Sequence, residues 1–268
     1  MYDSERCPYP TGGALPRLLR SCLAFCAAAW VFSAPPAWCG EWRVYPIRLH
    51  FEPGTRIGTL NVRNDGDDAM NFQVKAMEWT QDPDGKDAFT ETNDLIFFPK
   101  LLLIPPREER VIRLGLKGPG GPLREKTYRL FVEEIAPPRA DPHSGGAVVA
   151  VNIRFAVPVF VQPVKEDVSG QVVKIELFRG TVSATLRNSG NVHFRVPSLV
   201  FRGKDSTGRD TFSQTADGWY LLTGSTRAFS TRIPAEACRK SERIEVEGAT
   251  DRALILRGDL MVDRNQCN

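Results

Sequence analysis

One segment in the middle of the chain has the alternating apolar pattern of a β-strand. From Val149 to Val161 every odd-numbered residue is apolar, whereas the even positions mix small, polar and charged residues with Pro158 and Phe160. The apolar members are Val149, Val151, Ile153, Phe155, Val157, Val159 and Val161. Successive side chains of a strand point to opposite faces, so these residues share one face. The strand either completes the core of its own sandwich or offers this face to another chain.

The composition of the chain is that of an ordinary globular protein. Its 268 residues are 42% hydrophobic and 25% charged, which leaves room for one large domain or two domains of average size. The formal net charge is only +3 at pH 7. This is too weakly basic for a protein that recognises nucleic acid through its phosphates, so we expect no nucleic-acid partner.

Residues 1–40 have the pattern of a secretory signal peptide. Arg17 and Arg20 precede an apolar run from Cys22 to Phe32, and small residues follow it. The run is shorter than the roughly 20 apolar residues that a membrane-spanning helix needs. We therefore expect an exported protein whose mature chain begins near residues 40–41.

The cysteines divide into two groups. Four of the six lie in the predicted leader, so only Cys238 and Cys267 belong to the mature protein. An even pair of cysteines in an exported protein favours a disulfide, here one that ties the chain end back across the last domain. The alternative is a pair of unpaired, buried thiols.

Short β-rich runs recur along the mature chain, and turn signals rather than long helical periodicities separate them. One set of runs lies between residues 43 and 161, and a second lies between residues 171 and 261. The polar segment Pro163–Gly170 separates the two sets. The sequence therefore predicts an all-β protein with two sandwich domains, residues 41–163 and residues 164–268.

The residues give little support for catalysis. His50, His143 and His193 lie far apart in the chain, and neither a zinc-binding helix motif nor a nucleophile elbow occurs. The acidic residues at 65–68 lack the glycine and the final glutamate of a calcium loop. We interpret these residues, and those at 82–84, as hairpin turns. We expect no enzyme activity and no cofactor.

The first β-run places a cation on one face of a strand. Ile47, Leu49 and Phe51 alternate with Arg48 and His50, so the two sets point in opposite directions. An isolated strand arginine is commonly a solvated surface charge of little energetic consequence. Alternatively, its planar guanidinium binds a carboxylate in bidentate fashion, as in the capture of a chain terminus.

Four segments carry a further signal when they are taken in order. They are Ile47–Phe51, Val111–Leu114, Tyr128–Ile135 and Val157–Pro163. Together they resemble the PapD-like periplasmic chaperones of chaperone-usher pilus assembly. The last segment is more similar to the archaic and non-classical branch. The resemblance implies two immunoglobulin-like domains in a boomerang arrangement, with a subunit-binding cleft between them.

The resemblance also implies a function. Chaperones of this family bind pilus or fimbrial subunits in the periplasm by donor-strand complementation and deliver them to an outer-membrane usher. Val149, Val151, Ile153 and Phe155 match the donor residues that fill the open groove of a subunit, which is a form of β-augmentation. We expect Val157–Val161 to complete the chaperone's own domain. Self-association through the exposed strand is an expected protection when no client is bound.

The charged residues of the family match this chain less completely. Arg48 matches the arginine that anchors the C-terminal carboxylate of the subunit, but Pro158 stands where the family usually has a second anchor, a lysine. Arg154 is on the same face as this position and lies about 13 Å from it along the strand. Either Arg154 serves a differently placed subunit terminus or Arg48 acts with another cation.

The resemblance further implies an ion network between the domains. Arg113 and Glu134 match two of its members, and Asp263 is a candidate for the acidic member from the second domain. The alternative is ordinary surface pairing across neighbouring strands.

For the chain as a whole, two alternative functions stay open. One is an exported β-sandwich that binds carbohydrate or a surface, and the other is a hydrolase with a scattered site.

Overall fold

The computed structural model describes residues 41–118, 121–135 and 152–268. Residues Trp42–Asn268 form one compact unit. The predicted leader and the predicted donor residues Val149 and Val151 lie outside the described ranges. In the described part of the chain, no helix has both the length and the apolar character needed to cross a membrane.

Two sheets form the first sandwich. The back sheet has the strand order β1 (Trp42–Tyr45), β3 (Ile57–Asn64), β8 (Glu109–Leu116) and β6 (Leu95–Phe98). The front sheet has the order β2 (Leu49–Phe51), β10 (Arg154–Val161), β9 (Lys126–Ile135), β4 (Met70–Gln81) and β5 (Asp87–Glu91), and β7 (Leu101–Ile104) also pairs with β4.

The two-residue alternation of the sequence creates the core between these sheets. Val157, Val159 and Val161 of β10 are buried in one cluster with apolar residues of both sheets, including Phe51 and Phe72. The even-numbered residues of β10 lie on the opposite side, which is the outer face of the front sheet. The sequence expectation that Val157–Val161 complete the protein's own domain therefore agrees with the packing.

Three further sheets form the second sandwich. One contains β11 (Gly170–Phe178), β12 (Thr181–Asn188) and β17 (Thr226–Arg232). Another contains β15 (Asp210–Asp217), β14 (Ser198–Lys204), β18 (Arg243–Ala249) and β19 (Ile255–Met261), and a short ribbon pairs β13 (Phe194–Arg195) with β16 (Tyr220–Leu221). The predicted all-β fold with two sandwiches is confirmed.

A disulfide closes the end of the second sandwich. Cys238 lies in the short helix α1 (Ala235–Lys240), and Cys267 follows a 3-10 turn at Arg264–Gln266. The two residues are bonded across a sequence separation of 29, with their Cα atoms 5.7 Å apart, and both are buried. The predicted pairing of these cysteines is confirmed.

Replacing both cysteines by alanine should destabilise the protein by about 3 to 4 kcal/mol, because the unfolded chain regains the conformational freedom of a long closed loop. Urea unfolding of the double variant Cys238→Ala, Cys267→Ala beside the oxidised wild type measures this difference. Wild-type protein unfolded in the presence of a reductant is the control and should match the variant. A loss below about 1 kcal/mol would contradict the loop argument.

Candidate functional site

Strand β10 is paired on both sides only over its last three residues. On one side it pairs with β9 in antiparallel fashion from Arg154 to Val161. On the other side β2 pairs with it in parallel fashion, and only from Val159 to Val161. Over residues 154–158 the second edge of β10 has no partner strand in the part of the chain that the structure describes.

The hydrogen bonds to β9 and β2 show which residues of β10 direct their N–H and C=O groups toward this open edge. The Glu134 N–H donates to the Ile153 carbonyl at 3.1 Å, so the odd-numbered residues of β10 bond to β9. The Gln162 N–H donates to the Phe51 carbonyl at 2.9 Å, so the even-numbered residues face β2. Beyond the β2 pairing, the N–H groups of Arg154 and Ala156 therefore point to the open edge.

The path of the preceding segment sets where the pairing with β2 stops. Residues 42–45 form β1 and pair with β3 in the back sheet, and the chain joins the front sheet only at Leu49, which pairs with Val159. Pro158 is compatible with the open edge, because its backbone nitrogen faces the side of β2 and has no N–H to donate. Proline in a sheet is confined to such edge positions. At the position where the family usually has a lysine, the proline therefore removes one donor from the open edge of β10.

The apolar residues of β10 become less buried toward the start of the strand. Val157 is buried, whereas Phe155 is 38% exposed and Ile153 is half-buried against the core. The Phe155 ring makes an edge contact with Trp42 of β1, with ring centroids 4.7 Å apart. Of the four predicted donor residues, these two are described, and both lie where the strip leaves the sandwich.

The two predicted anchor residues differ in their surroundings. Arg48 lies in the bend directly before β2, is half-buried, and makes no ion pair or side-chain hydrogen bond with any described residue. The Arg154 guanidinium lies over the Phe131 ring, 4.1 Å from its centroid. Arg154 is an even-numbered residue of β10, so it lies on the outer face of the front sheet, toward the start of the strand.

An aromatic cluster joins this face to the second sandwich. Trp79 and Phe160 of the front sheet are buried together with Tyr220 and Leu222. The Phe160 ring stacks on His193, with centroids 3.7 Å apart and planes at 11°. His50 also stacks on Phe160 at 5.2 Å. Loss of water around His50, followed by repulsion from His193, lowers its pKa, so His50 resists protonation.

A buried carboxylate and histidine lie beside this cluster. Glu125, just before β9, accepts a hydrogen bond at Oε2 from the His193 backbone N–H at 2.8 Å. The same oxygen is hydrogen-bonded to His193 Nδ1 at 2.7 Å. Both side chains are buried.

Further hydrogen bonds join the two sandwiches near the turn between β4 and β5. Gln81 donates to the Tyr220 carbonyl at 2.9 Å and accepts from the Leu222 N–H at 3.0 Å. Arg227 donates to the Gly85 carbonyl at 2.7 Å. Gly85 has φ +77°, and a Cβ there would stand 2.6 Å from the Thr226 carbonyl oxygen, so this turn requires glycine.

The structure does not bring Arg113, Glu134 and Asp263 together. Arg113 is exposed on the back sheet, Glu134 lies on the front sheet, and Asp263 caps the 3-10 turn by accepting from the Asn265 N–H. No ion pair among the described residues joins any of the three to another. Glu125 and His193 form the buried polar link between the sandwiches instead. Sequence reasoning missed them because both lie outside strands, where no periodicity marks a buried position.

Only one of the two acidic segments predicted as hairpin turns is a hairpin. Asp82 accepts from the backbone N–H groups of Asp84 and Lys86 in the hairpin turn between β4 and β5. The prediction for residues 65–68 is wrong, because they connect β3 of the back sheet to β4 of the front sheet. Within the described ranges, no group of three or more histidine, cysteine, aspartate or glutamate side chains could hold a metal ion.

Replacing Glu125 by alanine should cost about 3 to 5 kcal/mol, because the backbone N–H and Nδ1 of His193 would remain buried without this hydrogen-bond partner. Urea unfolding followed by tryptophan fluorescence measures the loss. Glu166→Ala is the matched control: Glu166 pairs with Arg252 at a partly exposed site, so its loss should cost less than about 1 kcal/mol. Equal effects of the two substitutions would contradict the assignment of Glu125 as the buried link.

Comparison with known proteins identifies the family. Residues 42–166 match the family model described as pili and flagellar-assembly chaperone, PapD N-terminal domain. A search of the curated proteins finds no match. Among solved structures, the chain is similar to one from the CsuC-CsuE chaperone-tip adhesion subunit pre-assembly complex of the archaic Csu pili of Acinetobacter baumannii. That match has a TM-score of 0.59 and 18% identity, and it covers 81% of this chain and 98% of the other.

A second similar structure is that of the Salmonella enterica SafA pilin in complex with the SafB chaperone. Its TM-score is 0.50 at 14% identity, with 84% of this chain and 98% of that chain covered. At these identities the likeness to solved structures concerns the fold, and the placement in the archaic branch stays a prediction. The match of the whole first sandwich to the PapD N-terminal domain shows that residues 42–166 form a domain of the PapD-like pilus chaperones, a family without enzyme activity, and the fold of the chain as a whole is that of the solved chaperones.

Proposed function

We propose that this protein binds pilus or fimbrial subunits in the periplasm by donating β10 as a strand, and delivers them to an outer-membrane usher. The observation that carries the proposal is the open edge of β10 over residues 154–158. An edge with free N–H and C=O groups is a template for pairing with another chain. In a chaperone this template is the binding site rather than a defect.

The strand offers both elements of β-augmentation. The N–H groups of Arg154 and Ala156 supply main-chain hydrogen bonds, which bind a partner strand irrespective of its sequence. Ile153 and Phe155, at the end of the strip that leaves the core, supply apolar side chains for a groove in the client. Val149 and Val151 continue the same alternation along the sequence and are proposed to extend this contact. The solved structures named above contain chaperones bound to such subunits, and this supports the proposal by analogy.

Arg48 is proposed as the anchor of the client's C-terminal carboxylate. Its guanidinium has no ion-pair partner among the described residues, and it lies beside the part of β10 where the open edge begins. A planar guanidinium binds a carboxylate through two parallel hydrogen bonds, which fixes the register of the incoming strand. Arg154, on the outer face of the front sheet, is proposed to serve a client whose end is placed toward the start of β10.

Without a client, the open edge is proposed to pair with a second copy of the chain. The physical reason is the same: unpaired strand edges with apolar side chains associate unless something covers them. The proposed periplasmic location provides both the oxidising conditions that the Cys238–Cys267 bond requires and contact with the usher.

Arg48→Ala should abolish co-purification of an exported subunit while leaving the fold intact, because it removes the carboxylate anchor without removing core contacts. Affinity purification of the chaperone from cells that also express the subunits of the same appendage, followed by mass spectrometry, measures capture. Arg43→Ala is the matched control, since Arg43 is an exposed strand arginine nearby that pairs with Asp65. Subunit recovery by Arg48→Ala at the wild-type level would contradict the anchor assignment.

Ile153→Asp should likewise prevent capture, because it places a charge where the client groove is apolar. The same purification measures the effect, and circular dichroism checks that the variant is folded. Ile57→Asp, at a 74% exposed position of the back sheet, is the control and should capture subunits normally. A stable complex between Ile153→Asp and the subunit would refute strand donation. If the wild-type protein captures no subunit, the result favours the alternative of an exported β-sandwich whose valine side chains pack only in its own core.

A further inference from the structure

One hairpin turn of the second sandwich has an unusual backbone. Two residues join β11 to β12, Arg179 with φ +48° and Gly180 with φ +70°. Two positive φ angles in succession form a tight hairpin turn for which Asn-Gly is a favoured pair. Glycine adopts such angles freely, whereas for arginine they cost free energy. An arginine kept in this conformation favours a functional role for its side chain.

Covalent and hydrogen bonds connect this turn to two neighbouring segments. The Gly180 N–H donates to the Gln266 carbonyl at 2.7 Å, and the Ile233 N–H donates to the Gly180 carbonyl at 2.9 Å. The disulfide joins Cys238 of α1 to Cys267, which directly follows Gln266. The turn, the segment leading into α1 and the 3-10 turn are therefore held together. We call this unit the basic tip, and it comprises residues 178–180, 232–240 and 264–268.

Three arginines of the basic tip lie close together at the surface. Arg179 and Arg232 line one cavity, and Asn268 lines it as well. Arg239 donates to the side-chain oxygen of Asn268. All three arginines are exposed, and none of them forms an ion pair with a residue that the structure describes. Like charges held this close repel each other, so the cluster costs stability rather than adding to it.

The carboxylates at this end of the sandwich already have partners. Glu236 pairs with Lys240 at 2.7 Å, and Glu176 pairs with Lys174 at 2.8 Å. Asp263 caps the 3-10 turn. The basic tip therefore presents an excess of positive charge to the solvent.

Two large apolar side chains project beside these arginines. Phe178 is 61% exposed, and Met261 is 68% exposed. Both line one cavity of about 550 Å³ between β11 and β19, so they are neighbours. The Arg179 guanidinium lies over the Phe178 ring, 5.1 Å from its centroid, and this contact joins the apolar pair to the cations. An exposed apolar patch beside unpaired cations is typical of an interaction surface.

The basic tip lies at the end of the second sandwich that is remote from β10. β12 runs from the Arg179–Gly180 turn to Asn188, and the Asn188 side chain donates to the Leu221 carbonyl at 2.9 Å. Leu221 lies next to Tyr220, a member of the aromatic cluster at the junction. The 8 residues of β12 span about 25 Å, so the tip is well separated from the open strand edge.

We propose that the basic tip binds the surface of a membrane that contains anionic lipids. A bilayer presents phosphates above apolar chains, and this order matches three cations beside two projecting apolar side chains. The apolar side chains would enter the interface while the arginines bind the headgroups. A second copy of the chain is a poor partner for this surface, because the arginines of the two copies would repel each other. A chain bound in this way keeps β10 accessible, so the proposal goes beyond strand donation and does not depend on it.

Flotation of the full mature, disulfide-bonded chain with vesicles tests the proposal. The vesicles contain phosphatidylethanolamine with phosphatidylglycerol, or phosphatidylcholine alone, which has no net charge. We expect the wild type to float with the anionic vesicles only, and to be released as salt screens the charges. Arg179→Gln combined with Arg232→Gln should lower the partition coefficient about thirtyfold, because each cation near an anionic surface contributes about a factor of five. Phe178→Ser should lower it about tenfold, because its ring no longer enters the interface.

Matched substitutions outside the basic tip serve as controls. Arg56→Gln combined with Arg187→Gln removes two exposed arginines that make no ion pair within the described ranges, so the net charge changes equally. Ile57→Ser, at a 74% exposed position of the first sandwich, is the control for Phe178→Ser. Neither control should change binding to the anionic vesicles.

Equal losses in the tip variants and their controls would overturn the proposal, because net charge alone would then govern binding. Wild-type binding to neutral vesicles as strong as to anionic ones, or to neither, would overturn it as well. Soluble polyglutamate is the probe for an acidic protein as partner. If it binds the wild type as tightly as the anionic vesicles do, and Phe178→Ser leaves that affinity unchanged, the membrane assignment is wrong. Ile153→Asp should bind vesicles like the wild type, so a failure of strand donation is distinguishable from a failure of this proposal.

Discussion

The unequal pairing of the two edges of β10 is the constraint on which the rest of the structure depends. One edge is bonded to β9 along the whole strand, and this holds the strand in the sandwich. The other edge meets β2 for three residues and then has no described partner. The strand is therefore anchored by its valines at one end and open at the other. A strand paired on both sides throughout could not be lent to another chain.

The crossover of the first segment between the sheets sets this division. Residues 42–45 belong to the back sheet, and only Leu49–Phe51 pair with β10, so the edge of β10 before Val159 meets no described strand. Pro158 has no N–H and adds no donor to this edge. It also leaves β10 without a cation at the position where the family usually has a lysine. The crossover is not visible from the alternation of apolar residues alone.

The junction between the sandwiches lies next to this site and is held by buried aromatic and polar contacts. Phe160, on β10 itself, stacks on His193 of the second sandwich, and Trp79 contacts both Arg129 and Tyr220. The Glu125–His193 hydrogen bonds are buried, so their main effect is to specify one arrangement rather than to add much net stability. Strand β10, which is proposed to bind the client, and the residues that contact the second sandwich therefore share one set of side chains.

The sequence by itself determined the all-β class, the core role of Val157–Val161 and the pairing of Cys238 with Cys267. These follow from period-two alternation and from the number of cysteines that remain after export, which are local or compositional properties. Only the tertiary structure decided that β2 joins β10 only from Val159 onward, that Glu125 meets His193, and that Arg129 is buried against Trp79. Each of these depends on residues from distant parts of the chain. Whether a charge or a backbone donor is satisfied is set by neighbours in space, and a pattern along the chain does not contain them.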